Sequence, residues 1–400
     1  FLDCLSFKTC FIIKVLFLIN LINELSSISN LFLKIFNFFL LIGDIYSVGF
    51  SYNYYIYLNM YIENNIIKNY VSFWLASMFW ILSIMIIVGG LTRLTDSGLS
   101  ITEWQLFSGF LPPLNADDWI RYFDLYKKIP EFTEQNYLMT MQEFKVIFWW
   151  EWAHRFLGRL IGILFLLPLI FFTFKEGFKN LFSLYLIFFL ICFQGFIGWY
   201  MVSSGLVERV DVSHFRLSVH LIIAFLIISL ILWNYFNLRI KKNISKKINN
   251  FIPLFFLFII FCQIIIGAFV SGMDAGKIYN SWPLMGSTYF PNDNNFLNIF
   301  NFSAFSDPSL VQFMHRNLAY LICIFYLIIL FKVYKKKFVN LYFATNLVGL
   351  MLVVQVLLGI FTLIYGAQIF IASMHQLSSI FLVSSSVYLL YLNSNQRLLD

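Results

Sequence analysis

The chain has 400 residues, of which 60% are apolar and only 12% are charged. Several apolar runs reach the roughly 20 residues that a helix needs to cross a bilayer, which excludes a water-soluble globular protein. The net charge of +7 does not indicate a nucleic-acid partner, because the lysines form short clusters between apolar runs, as in the cytoplasmic loops of membrane proteins. The sequence therefore predicts an integral protein surrounded by membrane lipid.

Residues 1–70 form an N-terminal extension whose role the pattern leaves open. The apolar stretch 11–41 is interrupted by charged residues and lacks the Arg-rich, acid-poor balance of a transit peptide. It is an extra helix, a targeting segment, or sequence upstream of a start at Met60. The five cysteines show no metal-ligand spacing and predict no disulfide framework.

From residue 71 onward, eight apolar segments are long enough to be transmembrane helices. Only helices satisfy their own backbone hydrogen bonds within hydrocarbon, and no alternating strand pattern competes with them. The sequence predicts an all-α membrane fold with spans at 71–91, 146–174, 179–201, 215–238, 251–271, 311–332, 338–364 and 369–392.

Basic clusters predict the orientation of the spans. They follow the second, fourth and sixth spans, and the positive-inside rule places these loops on the cytoplasmic or matrix side. Both ends of the eight-span core then lie inside, and the long loops 92–145 and 272–310 lie outside.

Two sets of motifs recur along the chain, each set at a constant displacement, which indicates an internal duplication. Asp274 lies 178 positions after Asp96, and His315 lies 161 positions after His154. The duplication predicts two pseudo-symmetric four-helix bundles, an N-terminal half at 71–240 and a C-terminal half at 251–395. The motifs are Asp96-Ser97-Gly98 with Trp104, repeated as Asp274-Ala275-Gly276 with Trp282, and His154-Arg155 with Gln194 and Gly198, repeated as His315-Arg316 with Gln355 and Gly359.

One histidine lies near the outer end of each even-numbered span. These spans run from outside to inside, so the four histidines lie at a similar depth, about one or two helical turns below the outer surface. Each half contributes two, from helices that can face one another across a bundle. Neutral imidazole is a strong iron ligand, so the pattern predicts one heme per half with two axial histidines. They are His154, His220, His315 and His375.

His214 is an alternative partner for His154. The spacing from His154 to His214 equals that from His315 to His375. Alignment of the apolar run 217–230 with 372–385 instead matches His220 to His375, which is the pairing we prefer.

Glu151 lies three positions before His154 on the same helix face, in an apolar, tryptophan-rich setting. A carboxylate is costly there, which predicts a functional role. The equivalent position in the second half, 312, is glutamine. The alternative is a structural ion pair of Glu151 with Arg155 or Arg93.

Arginines near the histidines are candidates for binding heme propionates, because guanidinium binds carboxylates with two parallel hydrogen bonds. Three glutamines begin QxxxG elements in the third, fifth and seventh spans, a pattern that favours close helix packing. The arginines are Arg93, Arg155, Arg159, Arg216 and Arg316, and the glutamines are Gln194, Gln263 and Gln355.

Several ordered motifs resemble the heme A synthase family over roughly residues 71–395. The resemblance is to the subgroup of alphaproteobacteria and mitochondria, which has a long first outer loop with a Pro-Pro pair. Some bacterial members carry a cysteine pair in that loop, which is absent from 92–145 here, so no role of that pair applies. The motifs are VGGLTRLTDSGLS at 88–100, PPL at 112–114, EFK at 143–145, EWAHR at 151–155, GRL at 158–160 and RLSVHL at 216–221.

The resemblance implies an enzyme that converts heme O to heme A by oxidising the C8 methyl of the porphyrin to a formyl group, through hydroxymethyl and hydrated-aldehyde stages. It implies a heme b cofactor between His315 and His375 in the C-terminal half, beside Arg316. The heme substrate would lie between the N-terminal histidines, beside Arg155 and Arg93. Glu151 matches the glutamate to which the family assigns a catalytic role.

The resemblance also implies the bacterial cytoplasmic or mitochondrial inner membrane, with both heme sites toward the periplasmic or intermembrane side. Candidate partners are the heme O synthase, an electron-transfer protein and a second copy of the chain. Two other functions remain open. One is a non-catalytic di-heme b electron-transfer protein, against which Glu151 argues. The other is a repeat-built transporter, which would place charges near the midplane.

Overall fold

The computed structural model describes residues 62–105, 108–207, 209–241 and 247–394. Most of the N-terminal extension, residues 1–61, lies outside the described residues. The described part is helical, and its only strand-like feature is an isolated bridge between Met285 and Thr288. The all-α fold class predicted from the sequence is therefore confirmed.

Eight of the helices in the described residues are long and apolar enough to cross a membrane, as predicted. Their ends differ from the predicted spans by at most six residues. Two further helices, α2 (Ala116–Tyr126) and α3 (Pro130–Glu134), lie in the first outer loop. The spanning helices are α1 (Asn65–Leu94), α4 (Met141–Glu176), α5 (Phe182–Val202), α6 (His214–Arg239), α7 (Phe251–Gly272), α8 (Pro308–Lys335), α9 (Val339–Ile364) and α10 (Ile369–Ser394).

The helices α1 and α4 begin earlier than hydropathy predicts, because polar caps rather than apolar runs define their starts. Asn64 caps α1, and Thr140 and Glu143 form a reciprocal capping box at the start of α4. His154 therefore lies thirteen residues after the start of α4, more than three turns into the helix, rather than at its opening as expected.

Each set of four spans closes a ring of contacts. In the first ring α1 and α5 each contact both α4 and α6, and in the second α7 and α9 each contact both α8 and α10. The rings meet along α1, α6, α7 and α10. This arrangement is compatible with two four-helix halves, and the two-fold symmetry between them remains a prediction.

Burial separates these helices into two classes. The four helices at the junction bury 44–56% of their most apolar segment, whereas α4, α5, α8 and α9 bury only 17–33%. Apolar side chains that face lipid lose nothing by their exposure, because lipid tails are as apolar as leucine. The outer four helices are thus the ones that face the membrane.

The first outer loop folds over one end of the N-terminal half. Helices α2 and α3 and the outer turns of α4 share an apolar core that includes Phe123, Tyr126, Ile129, Phe144 and Phe148. This core is separate from the main transmembrane core. The extension of α4 beyond the membrane therefore supports a cap over the helix ends.

The repeated Asp-x-Gly motifs form equivalent turns after α1 and α7. Asp96 and Asp274 both adopt left-handed backbone conformations, with φ of 47° and 51°, which aspartate tolerates better than most residues. Arg93 contacts both turns, at 2.6 Å from Asp96 and 3.5 Å from Asp274. The two halves are therefore joined by charge at their outer ends.

We expect Thr140→Ala to loosen the outer end of α4, because loss of an N-cap hydroxyl costs about 1 kcal/mol. Hydrogen exchange of the amides of residues 141–144 should accelerate by roughly fivefold. Thr133→Ala is the control, since its hydroxyl contacts only carbonyls of its own turn. Equal exchange in both variants would show that the capping box does not hold this end.

Candidate functional site

A cavity of about 1230 Å³ lies between the two halves and is lined by residues of all eight spanning helices. It exceeds the roughly 300–1,000 Å³ of typical small-molecule sites. All four of the histidines that we predicted as heme ligands line it: His154, His220, His315 and His375.

The rings of His154 and His220 lie on opposite sides of the N-terminal part of this cavity. Their centroids are 6.4 Å apart. With metal–imidazole bonds of about 2 Å, two rings that coordinate one metal ion from opposite sides have centroids about 6 Å apart. The spacing therefore fits one metal ion held between this pair.

The described residues hold no cluster of three or more His, Cys, Asp or Glu side chains able to bind a bare metal ion. The histidines occur as pairs instead. A pair of axial imidazoles suits an iron whose other four ligands belong to a macrocycle. The donor set thus fits heme better than a free metal ion.

Each histidine ring lies against a glycine of a neighbouring helix. A Cβ atom added to the glycine would approach the Cε1 atom of the ring to 2.8–3.1 Å, closer than ordinary contact. These positions repeat along the chain, since Gly267 and Gly359 follow their counterparts by the same 178 and 161 positions as the motifs. The pairs are Gly89 with His154, Gly198 with His220, Gly267 with His315 and Gly359 with His375.

The three predicted QxxxG elements supply three of these glycines and also contact the histidines through their amides. Gln194 and Gln263 each donate to the backbone carbonyl of the histidine, His220 or His315, at 2.9 and 3.0 Å. Gln355 lies 3.4 Å from Nε2 of His375. The elements therefore position the histidines in addition to packing helices.

The four rings share one further property. In each, Nδ1 is buried and has no hydrogen-bond partner among the described residues. An unpartnered buried polar atom costs roughly 1–3 kcal/mol. The described protein contacts therefore leave these rings incompletely satisfied.

His214 lies elsewhere. It is the first residue of α6, is 7% exposed, and packs edge-on against Phe269 of α7 with ring centroids 5.4 Å apart. It is not among the residues that line the cavity. The structure thus places His220, rather than His214, opposite His154.

Glu151 is 2% exposed, lines the cavity and accepts four hydrogen bonds. Its Oε2 accepts from the Ser100 hydroxyl and from the Ile101 amide, both at 2.7 Å. Its Oε1 accepts from Nε and Nη2 of Arg155, at 3.0 and 2.6 Å. The ion pair that we considered as the structural alternative is therefore present within α4, and the bonds from Ser100 and Ile101 tie this helix to the first outer loop.

Arg155 and Arg316 hold the two outer loops in the same way. Arg155 donates to the carbonyl of Ile101 at 2.7 Å, and Arg316 donates to that of Tyr279, 178 positions further along, at 2.9 Å. Each also donates to the carbonyl two residues later, at 3.1 and 2.9 Å. These arginines thus fix the outer loops to α4 and α8 through hydrogen bonds to loop carbonyls, a role that the sequence did not reveal.

Three other predicted arginines are also engaged with the protein. Arg159 donates to the carbonyl of Gln105 at 2.9 Å, and Arg216 donates to that of Tyr200 at 2.7 Å. Arg93 and Arg316 line the cavity, and the Nε of each has no partner among the described residues. These two therefore retain a donor for an anionic group of a ligand.

Glu131 of α3 is a cavity-lining residue that sequence reasoning missed. It is 3% exposed, and burial together with nearby carboxylates raises its pKa to about 8. The outer loop contains many acidic residues, and no local pattern distinguishes this one. The contact between α3 and the helix bundle brings it to the cavity.

The sequence profile of the COX15-CtaA family, described as cytochrome oxidase assembly protein, matches residues 72–387. A heme A synthase from Pelagibacter ubique is 49% identical over 338 residues, which cover 84% of this chain and all of the relative. One from Rickettsia bellii is 43% identical, covering 79% of this chain and 96% of its own length. One from Flavobacterium johnsoniae is 38% identical, covering 80% and 97%.

We expect Gly198→Ala to weaken heme binding to the purified apoprotein, because the new methyl group would displace the ring of His220. Overpacking of this kind costs about 1–3 kcal/mol, or roughly 5- to 150-fold in affinity. Leu186→Ala, on the same helix, is the control, since Leu186 is 39% exposed and does not line the cavity. An absorption titration measures the heme affinity of both variants. Equal affinities would contradict the view that Gly198 leaves space for the ring of His220.

Proposed function

Because the chain belongs to the COX15-CtaA family of cytochrome oxidase assembly proteins, we propose that it is a heme A synthase, which oxidises the C8 methyl of heme O to the formyl group of heme A. The observation that carries the proposal is that one cavity is lined by two histidines from each half. The names of the relatives favour this enzyme over a non-catalytic di-heme protein and over a transporter.

In this proposal the C-terminal pair, His315 and His375, holds heme b as resident cofactor, and Arg316 offers its Nε to a propionate. When bound there, heme b supplies a redox-active iron. In support, Gln263 holds the backbone at His315 by donating to its carbonyl at 3.0 Å. The amides of Gln263 and Gln355 also lie 3.3 and 3.4 Å from Nε2 of His315 and His375, and each would have to withdraw from that atom for it to bind iron.

The N-terminal pair, His154 and His220, takes heme O as substrate, with Arg93 as the propionate donor of this half. Four carboxyl groups line the cavity from the N-terminal half, Asp96, Glu131, Glu151 and Asp211, and Asp274 lines it from the C-terminal half. In the second half Gln312 replaces Glu151 and donates to a loop carbonyl at 3.1 Å. The half that carries more acids suits chemistry in which protons leave a substrate.

Glu151 is the proposed catalytic residue, which accepts and returns a proton at its carboxylate oxygens. Of its four donors, only the Ser100 hydroxyl can rotate and become an acceptor. Protonation at Oε2 is therefore accommodated without loss of the Arg155 pair. Arg155 keeps the carboxylate at the cavity wall and orients it.

The protein is an integral membrane protein, and we place its heme sites toward the periplasmic or intermembrane side. The basic loops at 175–179, 239–247 and 332–337 follow the inner ends of α4, α6 and α8, whereas the histidines lie toward the opposite ends. Heme O synthase as the source of the substrate, an electron-transfer protein and a second copy of the chain remain candidate partners.

We expect His315→Ala or His375→Ala to remove the resident heme b, because one axial ligand is lost from a site built for two. His220→Ala should abolish heme A formation, whereas His214→Ala should largely preserve it. Reduced-minus-oxidised spectra and extracted heme measure the outcome. Retention of b-type absorbance in both C-terminal variants would contradict the cofactor assignment, and a greater loss in His214→Ala would move the ligand to that residue.

We expect Glu151→Gln to stay folded and heme-loaded but to stop at heme O or the hydroxymethyl intermediate. An amide can still donate and accept hydrogen bonds, yet it does not exchange a proton as a carboxylate does, so the rate should fall by roughly 100-fold or more. Chromatography of extracted heme separates the three forms. Normal heme A from this variant would make Glu151 purely structural. Glu134→Gln, the same change at an exposed position of the outer loop, serves as a control that should leave turnover intact.

A further inference from the structure

Glu131 is a buried carboxyl group to which the proposed reaction assigns no role. It lies in the five-residue helix α3 of the outer loop and is 3% exposed. It also lines the cavity that contains His154 and Glu151. An acid in this position joins the outer loop to the interior of the N-terminal half.

The two oxygens of Glu131 have different surroundings. The carboxyl group forms a hydrogen bond with the hydroxyl of Tyr126, and that hydroxyl in turn accepts from Nδ2 of Asn136 at 2.8 Å. A hydroxyl that accepts from an amide has its own proton left to donate, so Tyr126 donates to Glu131. The Oε2 atom has no partner among the described residues. One oxygen of Glu131 thus accepts from Tyr126, and the other, Oε2, is the one on which the acid can carry its proton.

The charged groups that act on Glu131 from the surrounding elements are carboxylates. They are Glu151 of α4, Asp211 before α6 and Asp96 after α1. Burial is the largest cause and these charges add to it, so the pKa of Glu131 rises to about 8. The neutral acid predominates at pH 7, which avoids a buried charge on an oxygen without a partner.

Glu131 also lies close to the outer aqueous phase. After the half-buried Phe132, the next residues are exposed: Thr133 and Glu134 at the end of α3, and Gln135 after it. One helical turn, about 5 Å, therefore separates Glu131 from exposed positions of the outer loop.

We propose that Glu131 exchanges protons between the cavity and the outer aqueous phase during turnover. It releases its proton to the outer side and is reprotonated from the cavity at Oε2, so the group is unchanged after each cycle. The proposal rests on the proposed function, because oxidation of a methyl to a formyl group releases protons beside Glu151. Glu131 is a relay residue and acts through Glu151.

The first test is infrared spectroscopy of the purified full-length protein, which needs no turnover. The difference between wild type and Glu131→Gln should contain the band of a protonated carboxyl group at pH 7, which disappears with a midpoint near pH 8. Glu134→Gln, an exposed neighbour on the same helix, should show no such band. If the difference between wild type and Glu131→Gln lacks the band of a protonated carboxyl group, the proposal is overturned. This result is independent of activity, so a protein that makes no heme A but shows the band refutes only the proposed function.

The second test is the rate of heme A formation as a function of pH. Glu131→Gln should slow turnover by up to roughly 100-fold, the lower end of what a positioned acid or base contributes, and should lose the inflection near pH 8 that wild type and Glu134→Gln retain. A wild-type rate and pH profile in Glu131→Gln would overturn the relay. Should that variant not fold, Glu131→Asp keeps the acid at a shorter reach. A shifted midpoint in it supports the proposal, and an unshifted one contradicts it.

Discussion

The structure depends on accommodating four imidazole rings between apolar helices. Each ring occupies space that exists only because the facing residue of the next helix is glycine. Each ring also leaves Nδ1 buried without a partner among the described residues, so the helices alone do not stabilise it. The bundle therefore holds four incompletely satisfied rings at one cavity of about 1230 Å³.

The differences between the halves are more informative than their similarities. The duplication preserves the glycines that face the histidine rings and the arginines that bind the carbonyls of both outer loops. Both features are requirements of the fold. The duplication also preserves Asp96 as Asp274 but does not preserve Glu151, which Gln312 replaces. The described residues of the second outer loop also contain no α-helix equivalent to the one that carries Glu131. In the proposed function, this asymmetry distinguishes the half that retains a heme from the half that transforms one.

Composition and hydropathy were sufficient to predict the all-α fold and eight spans, because lipid requires a long apolar segment in every spanning helix. Sequence reasoning also singled out the four histidines that line the cavity, and the alignment of apolar runs preferred His220, which lines it, over His214, which does not. The role of these histidines as heme ligands stays a prediction. Sequence reasoning did not predict the early start of α4, which depends on a cap at Thr140. Nor did it predict the loop contacts of Arg155 or the burial of Glu131, since these depend on irregular outer loops that carry no periodic signal.

The contact of Arg93 with Asp274 bears on the ancestry of the chain. A duplicated unit descends from a protein whose two copies met through the same surface on both partners, so any ion pair across that surface would have occurred twice. Here it occurs once, because the residue 178 positions after Arg93 is Ser271. After gene fusion the halves thus diverged into distinct partners. A separated N-terminal half would still present Arg93 and Asp96 to its own copy, whereas a separated C-terminal half has Asp274 but Ser271 in place of the arginine, and would pair by charge only with the N-terminal half.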